Sequence, residues 1–447
     1  MRYIGNTPEQ QQEMLRTIGV ERVEDLLSRV PLKARLARPL NLPEARAEVD
    51  LIAHMRGLAA KNAHADDYVC FLGAGAYDHY IPSPINHLIS RGEFFTAYTP
   101  YQPEASQGTL RTVYEYQTMI AELTGMDVAN ASLYDGGSAL AEAALMVHGV
   151  TGRDQIVISR GVNPLCRQVV ATYLDGPRAR IKEVAVEDGA TDLDALRRAV
   201  SERVAGVLIQ SPNFFGCLEE VGQVAEMAHA AGALLVVVAD PVSLGLLAPP
   251  GAQGADVVVA EGQGLGVPMS WGGPNLGIFA TRHALLRRLP GRLVGATVDT
   301  DGRRGFVLTL QTREQHIRRE KATSNICTNV ALCALMATVY LSLMGKQGLR
   351  KVGELSLAKA HYAAEALSEV PGVRRRFSAP FFKEFVLQLP KSPGRVVHRL
   401  LKERLLAGVP LKRFDRSLKD CLLVAVTEKR TRAEIDDYAR ALSRAVA

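Results

Sequence analysis

The sequence of 447 residues lacks the patterns that mark cysteine-rich, secreted and membrane-spanning proteins. Its six cysteines are scattered and form no C-x-x-C pair, so we expect neither a metal site nor a disulfide framework. The N-terminal stretch MRYIGNTPEQQQEML contains no apolar segment of the kind found in signal peptides. The most apolar stretch, residues 331–345, is too short to cross a bilayer and suits a buried helix. Together these absences predict a cytoplasmic protein without a membrane partner, or one in an organelle matrix if a transit peptide has been removed.

Lysine is missing from a long internal part of the chain. None occurs between Lys182 and Lys321. Arginine cannot replace a lysine that must act as a deprotonated amine, because its guanidinium stays protonated. Chemistry that needs a lysine amine is therefore excluded from this part of the sequence.

The charge is basic but dispersed. The net charge is +6 and the isoelectric point is about 9.0, yet the basic residues form a tight cluster only at Arg374–Arg376. No aromatic residues interleave with a basic run, so nucleic-acid binding is disfavoured. The surplus of positive charge instead favours the steering of an acidic protein partner or an anionic ligand.

Alternating helix and strand patterns dominate the middle of the chain. Apolar runs such as VAGVLIQ, LLVVVAD and DVVVA alternate with helical patterns such as EEVGQVAEMAHAAG. Near-continuous apolar strands between helices indicate an α/β fold with a mostly parallel sheet, covered on both faces. The predicted domains are an N-terminal helical segment, residues 1–65, a large α/β domain with interface loops, residues 66–345, and a small C-terminal α+β domain, residues 346–447.

Three stretches along the predicted sheet are typical of a ligand site. In DGGSALAEAAL a helix begins near Ser138, where free backbone N–H groups favour an anion; the simpler interpretation is that Ser138 only caps the helix. In LLVVVADP, Asp240 follows a buried strand and is expected to point into a ligand crevice, or merely to cap the next turn. A third strand leads into the glycine-rich turn EGQGLGVPMSWGG, which contains Gly264 and no lysine.

Two further stretches gather hydroxyl and amide groups. YTPYQPEASQG is a proline-stiffened loop that fits a substrate site or an interface equally well. ATSNICT precedes a long apolar helix and is consistent with a capping cluster or with a binding segment. The turns GAGAYD and GQGLG both depart from G-x-G-x-x-G, which argues against a nicotinamide-dependent dehydrogenase.

The order of these stretches resembles the large domain of fold-type I pyridoxal-phosphate enzymes, the aspartate aminotransferase-like fold. In that fold the helix start holds the phosphate and the Asp pairs with the pyridine nitrogen. The later turn carries the lysine that forms the Schiff base with the cofactor. The resemblance therefore implies a cofactor fold from which the catalytic lysine is missing.

Longer motifs make the resemblance more specific. FFTAYTPYQPEASQGTL, YEYQTMIAELTGMDVANASLYDGGSALAEAA and TREQHIRREKATSNICT resemble the glycine cleavage system P-protein, in its N-terminal half or α subunit. The resemblance implies a glycine decarboxylase whose lysine and covalent pyridoxal phosphate lie on a β subunit. It also implies transfer of the aminomethyl group to the lipoyl arm of the acidic H-protein.

The resemblance also implies roles for individual residues, with no catalytic lysine among them. The expected substrate or interface residues are Tyr98, Thr99, Tyr101, Gln102 and Ser106. Thr323, Ser324 and Asn325 are expected to share the partner's cofactor pocket, and Ser138, Asp240 and Gly264 to form a vestigial site. Two alternatives remain open: a scaffold that only stabilises the β subunit, and a stand-alone enzyme that binds pyridoxal phosphate noncovalently.

Overall fold

The structure is a computed structural model that describes residues 5–36, 38, 40–177, 179–270 and 272–447. Trp271, within the glycine-rich turn, lies outside the described residues, as does the start of the N-terminal stretch quoted above. The chain divides into two compact units, residues 1–63 and 64–447. The finer division at residue 345 stays a prediction.

In its described residues the first unit contains two α-helices, α1 (Pro8–Ile18) and α2 (Glu48–Ala59). Thr7 caps α1, and its hydroxyl and the Gln10 side chain exchange hydrogen bonds with each other's backbone N–H groups. Pro8 occupies the first turn and Gly19 ends the helix in a left-handed conformation. These signals all lie within one turn, so the local sequence is sufficient to specify where this helix begins.

The second unit contains eleven α-helices and seventeen strands in its described residues. The helices are α3 (Ser83–Ile89), α4 (Gly92–Phe95), α5 (Gln107–Thr124), α6 (Gly136–Thr151), α7 (Pro164–Asp175), α8 (Leu193–Ala199), α9 (Val221–Ala230), α10 (Gln315–Arg318), α11 (Ala331–Ser368), α12 (Pro393–Leu401) and α13 (Arg432–Val446). The strands are β1 (Val69–Cys70), β2 (Val128–Ala129), β3 (Gln155–Ser159), β4 (Arg180–Val184), β5 (Val186–Glu187), β6 (Ala190–Thr191), β7 (Val204–Ser211), β8 (Leu234–Ala239), β9 (Val257–Glu261), β10 (Gly277–Thr281), β11 (Val294–Val298), β12 (Arg304–Leu308), β13 (Arg374–Arg375), β14 (Glu384–Gln388), β15 (Leu405–Leu406), β16 (Val409–Pro410) and β17 (Cys421–Ala425).

The large sheet has seven strands in the order β2-β10-β9-β8-β7-β3-β4. Strands β4, β3, β7, β8 and β9 are parallel, whereas β10 runs antiparallel to both of its neighbours. Alternate residues enter two separate cores: Val207 and Val237 pack on one face, and Leu208 and Val236 on the other. The predicted fold class is confirmed, because apolar strands covered on both faces require this layered arrangement.

The C-terminal part of this unit is built around a second, antiparallel sheet of order β13-β14-β17-β16. Helices α12 and α13 pack with it, and Phe385, Val424 and Leu442 lie in its core. The segment entering β14 contacts the carboxyl edge of the large sheet, because Phe382, Lys383 and Glu384 line the cavity found there.

Helix α11 is longer than the apolar stretch that predicts it. It continues through a non-helical Gly345 to Ser368, and it contacts α5 and α13. Among the described residues it is the one helix whose length and composition would allow it to cross a membrane. Buried residues such as Ala337 and Tyr340 nevertheless belong to the core of the large sheet.

Candidate functional site

A cavity of about 370 Å³ lies at the carboxyl edge of the large sheet. Asp240 follows β8, Glu261 ends β9, and Gly136 and Gly137 begin α6; all four residues line the cavity. Parallel strands bring their carboxyl ends to one edge, which is where ligand crevices form in such sheets. Gly264, in the glycine-rich turn, lies in the same wall.

Asp135, rather than Ser138, caps helix α6. Its carboxylate accepts hydrogen bonds from the Ser138 backbone N–H at 2.8 Å and from the Ser138 hydroxyl at 2.9 Å. The interpretation of Ser138 as the helix cap is therefore wrong, since it occupies the third helical position. An aspartate cap brings a carboxylate to the end of the helix that favours anions.

Glu261 takes a second backbone donor at the same helix start. Its Oε2 accepts from the Gly136 N–H at 2.9 Å, and its Oε1 accepts from the N–H groups of Leu276 at 2.9 Å and Gln263 at 3.1 Å. Burial raises the pKa of the Glu261 carboxyl to about 7, against the effect of these three hydrogen bonds. A Cβ atom at Gly136 would lie 3.0 Å from the Glu261 backbone, so glycine permits this approach.

Lys383 is the cation of the cavity. Its Nζ lies 2.6 Å from Asp240 Oδ2 and 2.9 Å from His79 Nε2, and it lies 3.6 Å from the centre of the Tyr77 ring. The lysine side chain is only 2% exposed. The carboxylate, the imidazole nitrogen and the aromatic face around this ammonium replace the water that it loses on burial.

The contacts of Lys383 continue to a second acid. His79 Nδ1 lies 2.6 Å from Glu428 Oε2, and the Tyr80 N–H donates to the other oxygen of Glu428. Burial lowers the pKa of His79 and the Lys383 charge lowers it further, so the ring is neutral at pH 7. The neutral ring donates from Nδ1 to Glu428 and accepts from Lys383 at Nε2. Asp240, Lys383, His79 and Glu428 thus form one continuous network, called here the charge network.

Glu384 fixes the loop opposite Asp240. It accepts from the Ala74 N–H at 2.7 Å and from the Tyr77 hydroxyl at 2.6 Å. Burial raises the pKa of the Glu384 carboxyl to about 7. A Cβ atom at Gly73 would lie 2.2 Å from Glu384 Oε1, so the glycine in the turn GAGAYD allows the Glu384 carboxyl to come close to the backbone of this loop.

The two hydroxyl-rich stretches are brought together elsewhere, through Tyr101. Its hydroxyl lies 2.7 Å from Thr328 Oγ1 and donates to Asn329 Oδ1 at 2.6 Å. The Arg292 guanidinium lies 5.0 Å from the centre of the Tyr101 ring. The Asn329 amide in turn donates to the carbonyl of Ala131, just before the α6 region.

Other predicted residues of these stretches differ in exposure. Tyr98 is 89% exposed, and Thr99, Gln102 and Asn325 are also exposed. Ser106, Thr323 and Ser324 are half-buried, and Ser324 acts on the buried Glu142 of α6 by lowering the pKa of its carboxyl against the larger effect of burial.

Residues 322–328 do not cap the helix that follows. The residue before α11 is Val330, and it makes no side-chain capping bond. The Ser324 hydroxyl accepts from the Ile326 N–H within the loop. The capping interpretation of ATSNICT is therefore wrong, which leaves the binding interpretation as a hypothesis.

The sequence patterns missed two of the charged residues at the cavity and two members of the charge network. Lys383 and Glu384 sit within the apolar stretch PFFKEFVLQL, and a charged pair flanked by apolar residues is the available signal. His79 and Glu428 carry no local signal. Among the residues the structure describes, no group of three or more His, Cys, Asp or Glu side chains could hold a metal ion.

Comparison with known proteins identifies the family. A sequence model of the glycine cleavage system P-protein matches residues 1–442. The chain belongs to this family. The resemblance found in the long motifs is thereby confirmed.

Similar proteins of the P-protein family match this chain over nearly its whole length. A probable glycine dehydrogenase (decarboxylating) subunit 1 from Moorella thermoacetica is 54% identical over 442 residues, which cover 99% of each chain. The corresponding protein of Desulforamulus reducens is 53% identical over 436 residues, or 98% of each chain. A crystal structure of an inhibitor-bound glycine decarboxylase (P-protein) has a TM-score of 0.90 at 47% identity and full coverage of both chains.

More distant structures show the fold alone. A glutamate decarboxylase from Lactobacillus brevis has a TM-score of 0.68 at 14% identity, covering 93% of this chain and 95% of its own. A cysteine desulfurase from Escherichia coli has a TM-score of 0.63 at 15% identity, covering 87% and 98%. This P-protein chain has the fold-type I architecture of pyridoxal-phosphate enzymes.

Pyridoxal phosphate, which the fold family implies, does not fit the cavity of this chain. The turn after β9 has no lysine to bond it. Asp240 is already paired with Lys383, and two carboxylates meet the helix start where the fold would receive a phosphate.

Proposed function

We propose that this chain is the α subunit of a two-subunit glycine decarboxylase and that the lysine-bearing β subunit holds pyridoxal phosphate covalently. The observation that carries this proposal is the pairing of Asp240 with Lys383 beside a turn that contains no lysine. A family member with this cavity requires another chain to supply the lysine. The bound cofactor supplies the electron sink for decarboxylation of glycine, and the aminomethyl group passes to the lipoyl arm of H-protein.

Borohydride reduction of the purified complex tests where the cofactor is bound. Reduction fixes the phosphopyridoxyl group to its lysine, and peptide mapping then locates it. We expect the label on the β subunit alone. A label on a lysine of this chain at one equivalent would refute the proposal and would favour a stand-alone enzyme.

Within this proposal, residues 98–106 and 323–325 form the part of the chain that reaches the partner's active site. The support is that Tyr101 joins these segments through Thr328 and Asn329, while Tyr98 and Asn325 remain exposed. Among the described residues, neither of these two side chains has a hydrogen bond. They are therefore available for contact with substrate, lipoyl arm or cofactor.

Substitutions at Tyr98 and Asn325 distinguish an active site shared between the subunits from a chain that acts only as a scaffold. The Tyr98→Ala and Asn325→Ala variants, assembled with the β subunit, should lower kcat/KM at least about tenfold, as lost transition-state contacts do. Analytical sedimentation should show that both variants still assemble with the β subunit. Exposed Val298→Ala is a matched control outside both segments. Full activity in both variants, with normal assembly, would support the scaffold alternative.

H-protein is expected to approach this chain partly through charge. The net charge of +6 would attract an acidic partner, and such attraction weakens as salt rises. The association rate of the complex with lipoylated H-protein should therefore fall with ionic strength. A rate that does not change with salt would refute the charge contribution.

A cytoplasmic location without a membrane partner belongs to the same proposal. Its support is that the long apolar helix α11 packs into the protein core, and that the relatives described above are bacterial. Fractionation of cells should recover the chain with the β subunit in the high-speed supernatant. Recovery with membranes would contradict it.

A further inference from the structure

The cavity at the carboxyl edge of the sheet contains an ammonium group and acidic side chains of its own. Lys383 lies at the strand-end acid Asp240, and Glu261 lies at the start of helix α6. Strand end and helix start are the two places where this fold receives the charged ends of a phosphorylated pyridine ring. In this chain both places are taken by side chains.

The position beside Asp240, where the fold would receive a pyridinium, is filled completely by Lys383. The Lys383 ammonium donates toward Asp240 and His79 and lies against the Tyr77 ring. A pyridinium approaching Asp240 would have to displace an ammonium 2.6 Å away that is itself almost fully buried. Displacement would leave that ammonium without its carboxylate, which is strongly unfavourable in a buried site.

The helix start, where the fold would receive a phosphate, is filled as well, by two acidic side chains. Glu261 takes the Gly136 N–H and Asp135 takes the Ser138 N–H, so two donors of the helix start are already used. A phosphate placed there would meet both carboxylates at short range. Like charges repel strongly where water is scarce.

We propose that Lys383 and Glu261 replace the two charged ends of a phosphorylated pyridine ligand, which keeps the cavity stable and closed to that ligand. The charge network also joins two distant parts of the chain, because His79 precedes α3 whereas Glu428 precedes α13. The side chains of this network thereby hold the C-terminal sheet on the edge of the large sheet.

Equilibrium dialysis of the purified full chain against pyridoxine 5′-phosphate tests the exclusion. This probe has the ring and the phosphate but no aldehyde, so surface lysines cannot trap it. The wild-type chain should take up none above the level of a non-binding protein. The Glu261→Ala/Lys383→Ala variant should bind one equivalent at least roughly tenfold more tightly than the wild type, while uptake of pyridoxine, without the phosphate, should rise less.

A matched control removes the same two residue types from an exposed ion pair of α11. Lys351 Nζ lies 3.8 Å from Glu354 Oε2, and the Lys351→Ala/Glu354→Ala variant should behave as wild type. Saturable binding by the wild-type chain would overturn the proposal. So would a folded Glu261→Ala/Lys383→Ala variant that binds no better.

A double-mutant cycle keeps the proposal testable if that variant does not fold. Lys383→Met should lower Tm by several degrees in the wild-type background, since Asp240 is left as an unpaired charge. In the Asp240→Asn background the same change should lower Tm much less. Equal losses in both backgrounds would overturn the proposal. These readouts concern this chain alone, so they are distinguishable from a failure of the borohydride experiment on the complex.

Discussion

The Tyr101 hydroxyl is predicted to hold residues 323–329 in place, and Tyr101→Phe isolates its contribution. The hydroxyl makes two hydrogen bonds, at 2.7 Å to Thr328 and 2.6 Å to Asn329. Phenylalanine keeps the ring and therefore keeps the contact with Arg292 at 5.0 Å. The variant thus removes hydrogen bonding while leaving the packing of the ring intact.

The expected cost follows from the acceptor that is left behind. Asn329 is only 7% exposed, so its Oδ1 cannot turn to water when the Tyr101 donor is removed. An unsatisfied buried acceptor costs about 1–3 kcal/mol. Thr328 is half-buried and can find another partner, which places the expected loss at about 2 kcal/mol.

The assay compares Tyr101→Phe with Tyr98→Phe by thermal unfolding of the full chain. For a chain of this length, about 2 kcal/mol corresponds to a fall in Tm of about 2 °C. Tyr98 is 89% exposed and should give no change, so it controls for loss of a tyrosine hydroxyl in the same loop. Hydrogen exchange should also speed up at the Val330 amide, which donates to Ser132 Oγ across this junction.

The reasoning fails if the two tyrosine variants melt alike. A Tyr101→Phe chain with wild-type Tm and wild-type exchange at Val330 would mean that the hydroxyl does not anchor the segment. The proposed reach of residues 323–325 toward the partner would then lose its positional support.

Three further predictions concern stability. Gly216→Ala should lower the free energy of unfolding, measured by chemical denaturation, by more than about 3 kcal/mol, because its Cβ would lie 1.9 Å from the Glu384 carbonyl oxygen and its φ is +84°. Gly394 lies in a helix with open space around its Cβ position, so the control variant Gly394→Ala should not lower it. Burial raises the pKa of Glu142 from 4.5 to about 7, so the folded state favours the protonated carboxyl, and this contribution to stability is lost as the pH rises toward 7. Glutamine does not ionise, so the stability of Glu142→Gln relative to wild type should rise between pH 5 and pH 8. A stability difference that stays constant across that range would refute the prediction. Thr7→Ala should cost about 1 kcal/mol of helix stability, seen as lower circular-dichroism helicity of the first unit, and no loss would contradict the capping box.

Features whose causes lie close together in sequence could be predicted. The Thr7 cap acts within one turn, and strands such as β8 and β9 follow from uninterrupted runs of valine and leucine. The assignment of the α6 cap to Ser138 rather than Asp135 is a local error of three residues. Both types favour this position, and only the geometry shows which side chain accepts the backbone N–H.

The occupants of the cavity could not be predicted because their partners are distant in sequence. The sequence predicts that Asp240 faces a crevice, and it does line the cavity, but nothing near it in sequence indicates Lys383. A buried lysine is stable only where the fold assembles acceptors around it, and here they come from β8 and from the loop before α3. The segment LGIFA reads as a strand and forms β10, but its antiparallel direction and the β11–β12 hairpin could not be predicted, since pairing depends on contacts outside each strand.

The glycine-rich turn after β9 has a structural reason to persist without its lysine. A Cβ at Gly262 would lie 2.7 Å from Leu276 Cδ2, and Gly266 has a φ of +90° with Ile85 at 2.8 Å from where its Cβ would be. Gln263, between them, accepts from the Tyr77 N–H and donates to the Val267 carbonyl. The turn thus closes the core beneath the cavity and positions the loop that holds Tyr77 against Lys383. Packing of the core and the charge network both depend on this backbone path. The glycines are therefore needed for the path of the turn even though the turn contains no catalytic lysine.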